Sequence, residues 1–119
     1  MEISTIPKQR MILVRVSGEI DHHLSEKMRR AIEKEILRSG AINVAFDFGR
    51  VSFMDSSGIG MLIGRYKTVR ALGGHIIVYD AVEQIRRLIE MSGVTELIIM
   101  SDTLQKGINE MNRMKGVKI

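Results

Sequence analysis

The strongest constraint in this chain is a periodicity that switches repeatedly between that of a strand and that of a helix. A short apolar start at Ile3 and Ile6 precedes Pro7. Then Ile12, Val14 and Val16 alternate with Leu13 and Arg15, which predicts a strand with one face better buried, ended by Gly18. Leu24, Met28, Ala31, Ile32 and Ile36 follow at helical spacing, with Glu26, Arg30, Glu33 and Lys34 outward. Asp21 is placed to cap that helix and Gly40 to end it. Ile42, Val44, Phe46 and Phe48 alternate up to Gly49, which marks a strand end.

The pattern then repeats. Asp55 to Gly58 opens a second helix with the stripe Ile59, Leu62, Ile63, Tyr66, Val69 and Leu72, closed by Gly73 and Gly74. His75 to Tyr79 reads as a buried strand. Val82, Ile85, Leu88 and Ile89 mark a third helix stopped near Gly93, and Leu97 to Met100 a last short strand. Ser101 or Asp102 caps a final helix whose inward residues are Leu104, Ile108, Met111 and Met114. Two or three strands come first and strand and helix alternate thereafter, an order that points to an α/β layer fold whose later strands are largely parallel. The expected fold is α/β, with a small mixed sheet of four to five strands flanked by about four helices. Its 119 residues make one domain spanning 1–119.

Composition narrows the function. With 45% hydrophobic and 27% charged residues, the chain has the balance of a folded globular domain. No apolar run approaches the roughly 18 residues that cross a bilayer, and the N-terminus has no signal-peptide layout, so a cytoplasmic location without membrane contact is expected. The absence of Cys removes disulfides, thiolate catalysis and cysteine metal sites together. The net charge of +4 raises the question of nucleic acid. However, the cations fall in scattered groups (Lys27, Arg29 and Arg30; Arg65, Lys67 and Arg70; Arg86 and Arg87) interleaved with apolar positions, as on solvated helix faces. Three Phe and two Tyr leave little for base stacking, so no nucleic-acid partner is expected.

Enzyme signatures are missing. The sequence contains no phosphate loop, no His-Glu-x-x-His helix and no Gly-x-Ser-x-Gly elbow. His22 and His23 are adjacent, so on a helix they point about a hundred degrees apart and do not chelate one ion together. No cofactor, metal or catalytic residue is expected. The informative segment is Phe53-Met54-Asp55-Ser56-Ser57-Gly58-Ile59-Gly60, between a strand and a helix. Asp and Ser there satisfy the free amides of a first turn, but one such residue suffices and three stand in line. Gly58 and Gly60 inside that turn each cost up to ~1 kcal/mol relative to Ala, which points to close approach of another molecule or to a pliable turn. A Ser hydroxyl at a helix N-terminus also suits a phosphate, which the free amides and the dipole accept.

That segment, continued through Leu62, Ile63, Gly64 and Arg65, resembles the signature of the anti-sigma factor antagonists of the STAS-domain family, the sporulation type in particular. Gly18-Glu19-Ile20-Asp21-His22-His23 is similar to the family's second landmark and Met91-Ser92-Gly93-Val94 to a third, in order and at family spacing. The resemblance implies phosphorylation at Ser56, the first Ser after the Asp, with Ser57 second. It implies a partner that is an anti-sigma factor and ATP-dependent serine kinase, a serine phosphatase that reverses the modification, and a sigma factor controlled only indirectly. Asp21, Asp55, Ser57, Gly58 and Gly60 then form the kinase-binding surface. The alternative within the same fold is a scaffold or partner-binding STAS domain of another bacterial signalling assembly. The basic end (Arg113, Lys115 and Lys118) has no counterpart in the resemblance.

Overall fold

The computed structural model describes residues 1–115. Five strands form one sheet in the order β1-β2-β3-β4-β5: Glu2–Ile6, Met11–Ile20, Asn43–Met54, Ile76–Tyr79 and Ile99–Ser101. β1 runs antiparallel to β2, and the other neighbours are parallel. Between the parallel strands come α1 (His22–Ser39), α2 (Ser56–Ala71) and α3 (Glu83–Met91); α4 (Leu104–Lys115) follows β5. This is the expected α/β fold, with five strands and four helices. Among the described residues no helix is long and apolar enough to cross a membrane.

The sheet is buried on both faces, but unequally. Ile12, Val14, Val44, Phe46, Phe48, Ile76 and Val78 point into the larger core with Met28 and Ile32 of α1, Leu62 and Val69 of α2, and Ile85 and Ile89 of α3. Met11, Leu13, Ala45 and Ile77 face the other way and are covered by Ile108 and Met111 of α4. α4 reaches only part of that face, so β2 is buried on both sides from Met11 to Val14 and exposes Arg15 and Ser17 beyond.

Several local expectations need correction. Neither Gly18 nor Gly49 ends a strand. Gly18 takes φ +86° at one of two register shifts, after which β2 rejoins β3 through Glu19↔Phe53 and Ile20↔Met54. The two glycines therefore mark irregular but continuous pairing rather than turns. The inward face of α2 is also rotated from the predicted stripe. Gly58, Met61, Leu62, Arg65 and Val69 are buried, Ile59, Ile63 and Tyr66 pack at its margins, and Leu72 is exposed. Arg65 accordingly lies inside and not on a solvated face. The last strand starts at Ile99, after a 3-10 turn at Val94–Glu96. α4 is capped by Thr103, whose hydroxyl accepts the Lys106 amide at 3.1 Å, rather than by Ser101 or Asp102. Met114 is exposed. Lys118 lies outside the described residues.

Candidate functional site

Two β-to-α junctions stand side by side at one end of the sheet. β2 ends at Ile20 and β3 at Met54, which are paired in register, and the Asp55 amide donates to the Ile20 carbonyl at 3.2 Å. Each strand runs into an Asp that caps the next helix. Asp21 and Asp55 have nearly the same backbone, φ −99° with ψ −175° and −174°. Asp21 Oδ1 accepts the Leu24 amide at 2.9 Å, and Asp55 Oδ1 accepts the Ser57 amide at 2.9 Å. The extended backbone of each Asp stops the strand, and its carboxylate satisfies an amide that the first helical turn leaves free.

This arrangement brings together Asp21, Asp55, Ser56, Ser57, Gly58 and Gly60. Ser56 is the first helical residue; it is exposed, and its hydroxyl makes no hydrogen bond among the described residues. Ser57 is half-buried. Its hydroxyl donates to Asp55 Oδ1, and its Oγ also lies 3.2 Å from Oγ of Ser25 on α1. The Ser57 hydroxyl, together with the Ser57 and Gly58 amides and the charge of His22, holds the Asp55 carboxyl below its usual range, against the opposing effect of burial. The site thus keeps Asp55 ionised at the positive end of α2.

The two glycines have different reasons. A Cβ on Gly58 would stand 2.3 Å from Met54 Cγ and 2.6 Å from Met54 Sδ, so the end of β3 fills that space and Gly58 is there for packing. A Cβ on Gly60 would meet nothing within 4 Å, and the residue is exposed. Of the two, only Gly60 has open space beside its backbone.

Two further residues adjoin the junction. Ser25 is buried on the inward face of α1, in step with Met28, Ile32 and Ile36. A stripe search that follows apolar residues passes over it; the signal available was a polar residue at a core position. Phe53 is 49% exposed two residues before Asp55, on the stretch of β3 that lies beyond Gly49. A concavity of about 760 Å³ lies along β5 between α3 and α4, away from both junctions. The junction surface leaves the Ser56 hydroxyl exposed.

The STAS-domain family model matches residues 2–107, from β1 into the first turn of α4. The anti-sigma F factor antagonist of Paenibacillus polymyxa is 34% identical over 109 residues, covering 92% of this chain and 88% of that protein. This chain belongs to the STAS family, among the anti-sigma factor antagonists. The structure of the anti-sigma factor antagonist SpoIIAA in its unphosphorylated form is also similar, at a TM-score of 0.71 and 26% identity, covering 98% of each chain. The phosphorylated form of SpoIIAA, described as a Bacillus cell fate determinant, matches this STAS domain with a TM-score of 0.71 and 28% identity over 92% of this chain and 96% of that one. Similarity spans β1 to α4, so the twin junctions lie well inside the matched region.

Proposed function

We propose that this STAS domain releases a sigma factor by binding the anti-sigma factor that holds it, and that phosphorylation of Ser56 switches the binding off. The kinase is the anti-sigma factor itself, using ATP, and a serine phosphatase restores the unmodified form; all of these are cytoplasmic. Asp21, Asp55, Ser57, Gly58 and Gly60 shape the surface that enters the kinase. In the transfer, Ser56 Oγ bonds to the γ-phosphorus of ATP. The bond from that phosphorus to the β,γ-bridging oxygen breaks, ADP leaves, and the hydroxyl proton passes to a base on the kinase.

The observation that carries this reading is the exposed, unbonded Ser56 hydroxyl at the first position of α2. It is supported by similarity to an antagonist whose structure exists in both phosphorylated and unphosphorylated forms. Phosphorylation there adds about −1.5 to −2 charges at a helix end that tolerates them, so the fold survives while the contact surface becomes more negative.

Mass spectrometry after incubation with ATP and the anti-sigma kinase from the same source tests the reading. Ser56→Ala abolishes phosphate transfer with the fold intact, and Ser56→Asp weakens kinase binding. An alanine variant still modified to the wild-type extent, or an aspartate variant that binds undiminished, overturns it. Capture of a partner without kinase activity favours the scaffold alternative.

A further inference from the structure

Two serines stand next to each other at the start of α2, yet only Ser56 has a free hydroxyl. We propose that Ser25 of α1 is a specificity-determining residue that reserves modification for Ser56 by locking the Ser57 hydroxyl in place. The inference rests on the reading of Ser56 as the phosphoacceptor.

The argument starts from proton direction. The Ser57 hydroxyl donates to Asp55 Oδ1, and an ionised carboxylate can only accept. The 3.2 Å contact between Ser57 Oγ and Ser25 Oγ must therefore have Ser25 as donor. Both the proton of Ser57 and one of its lone pairs are thereby committed. Ser25 is only 5% exposed, so its hydroxyl has little solvent to exchange for Ser57. The chain Ser25–Ser57–Asp55 also crosses from α1 to α2, which fixes the Ser57 side chain between two elements.

Presenting the Ser57 Oγ to a γ-phosphorus on an incoming partner would mean turning the side chain outward, which gives up the bond to Asp55 and the bond from Ser25. The side chain would then have to leave its half-buried position. The product would set a phosphate dianion against the Asp55 carboxylate, a second opposing effect that needs no contribution from Ser25. Ser56 meets neither restriction. Ser25 does not touch the phosphate donor; it acts through Ser57, as a positioning residue.

The experiment maps phosphate between Ser56 and Ser57 by peptide mass spectrometry, using ATP and the kinase that modifies the wild-type chain. Thermal melts establish that each variant is folded. In Ser25→Ala the ratio of Ser57 to Ser56 phosphate rises by roughly tenfold, the scale of one neutral hydrogen bond. In Ser25→Cys, whose thiol fills similar space but bonds weakly, it moves the same way. In the Ser56→Ala background, adding Ser25→Ala raises phosphate on Ser57 above that of Ser56→Ala alone. A purely structural role would lower total phosphate without relocating it. An unchanged ratio in folded Ser25→Ala and Ser25→Cys overturns the inference and leaves Ser56 as acceptor. A wild-type chain that takes no phosphate overturns the reading of Ser56 and this inference with it.

Discussion

Nη2 of Arg65 lies 3.2 Å from a carboxylate oxygen of Glu33, joining α2 to α1 through a residue only 5% exposed. Glu33 also accepts from Arg29 Nη1 at 3.2 Å, so one half-exposed carboxylate serves two cations. Nε and Nη1 of Arg65 make no hydrogen bond among the described residues. Burial pulls the Arg65 pKa below its ordinary value, while Glu33 opposes that shift. The pair is therefore a poor source of net stability but expensive to split. Glu33→Ala, which leaves the buried guanidinium unpartnered, lowers unfolding stability by about 1–3 kcal/mol. Arg65→Met, which removes the charge and keeps the volume, is close to neutral. Chemical denaturation of both variants checks this, and a larger loss in Arg65→Met than in Glu33→Ala refutes it.

Asp55 ties stability to pH in a defined direction. Its folded pKa is held below the ordinary 3.8, chiefly by the Ser57 hydroxyl and then by the Ser57 and Gly58 amides. A depressed carboxyl stabilises the fold above its unfolded pKa, and that contribution disappears as the pH falls through the folded value. Asp55→Asn keeps a capping oxygen but has no charge to lose. At neutral pH the asparagine variant melts lower than wild type, and the gap closes below about pH 4. Melting curves across that range decide the matter; a gap independent of pH would show that charge plays no part in this cap.

The elements and the site junction were legible where local chemistry decides the backbone. Asp21 and Asp55 cap as expected because a carboxylate three or two residues ahead of a free amide needs no tertiary help. Gly40 ends α1 at φ +72° for the same kind of local reason. The glycines at 18 and 49 misled because one residue type serves both turns and irregular pairing, and only the neighbouring strand distinguishes them. The phase of α2 was obscured by apolar residues on several sides of the helix, from Ile59 through Leu62 and Ile63 to Tyr66. Arg65 and Ser25 were missed as interior residues for one shared reason: a stripe defined by hydrophobicity cannot register polar side chains that are buried because they are partnered.

Phe53 owes its position to the continuation of β3 beyond Gly49, which carries an aromatic ring out to the rim of the Asp55 junction. An exposed Phe contributes little to folding, yet an aromatic at the edge of a docking surface often carries a large share of binding energy. Phe53→Ala should leave the melting temperature nearly unchanged and weaken binding of the anti-sigma kinase by about 1–2 kcal/mol. Calorimetric titration measures the second quantity, and full-strength binding would place Phe53 outside the interface.

Gly58 and Gly60 stand in opposite surroundings within a single helical turn, one crowded and one open. Replacing Gly58 by Ala forces its methyl against Cγ and Sδ of the buried Met54 and brings it 3.3 Å from Ile20 Cγ2. Relieving that overlap forces the buried Met54 side chain to shift, and the expected loss is about 1–3 kcal/mol despite the better helix propensity of Ala. The same change at Gly60 meets no atom within 4 Å, so propensity alone operates and stability rises by up to ~1 kcal/mol. Binding should move the other way. Gly60→Ala sets a methyl on the exposed face proposed for kinase contact, so affinity is expected to fall although the fold is firmer. Denaturation and binding measured on the same two variants test the separation. A Gly58→Ala protein as stable as wild type would contradict the packing argument, and a Gly60→Ala protein that binds normally would remove this turn from the contact surface.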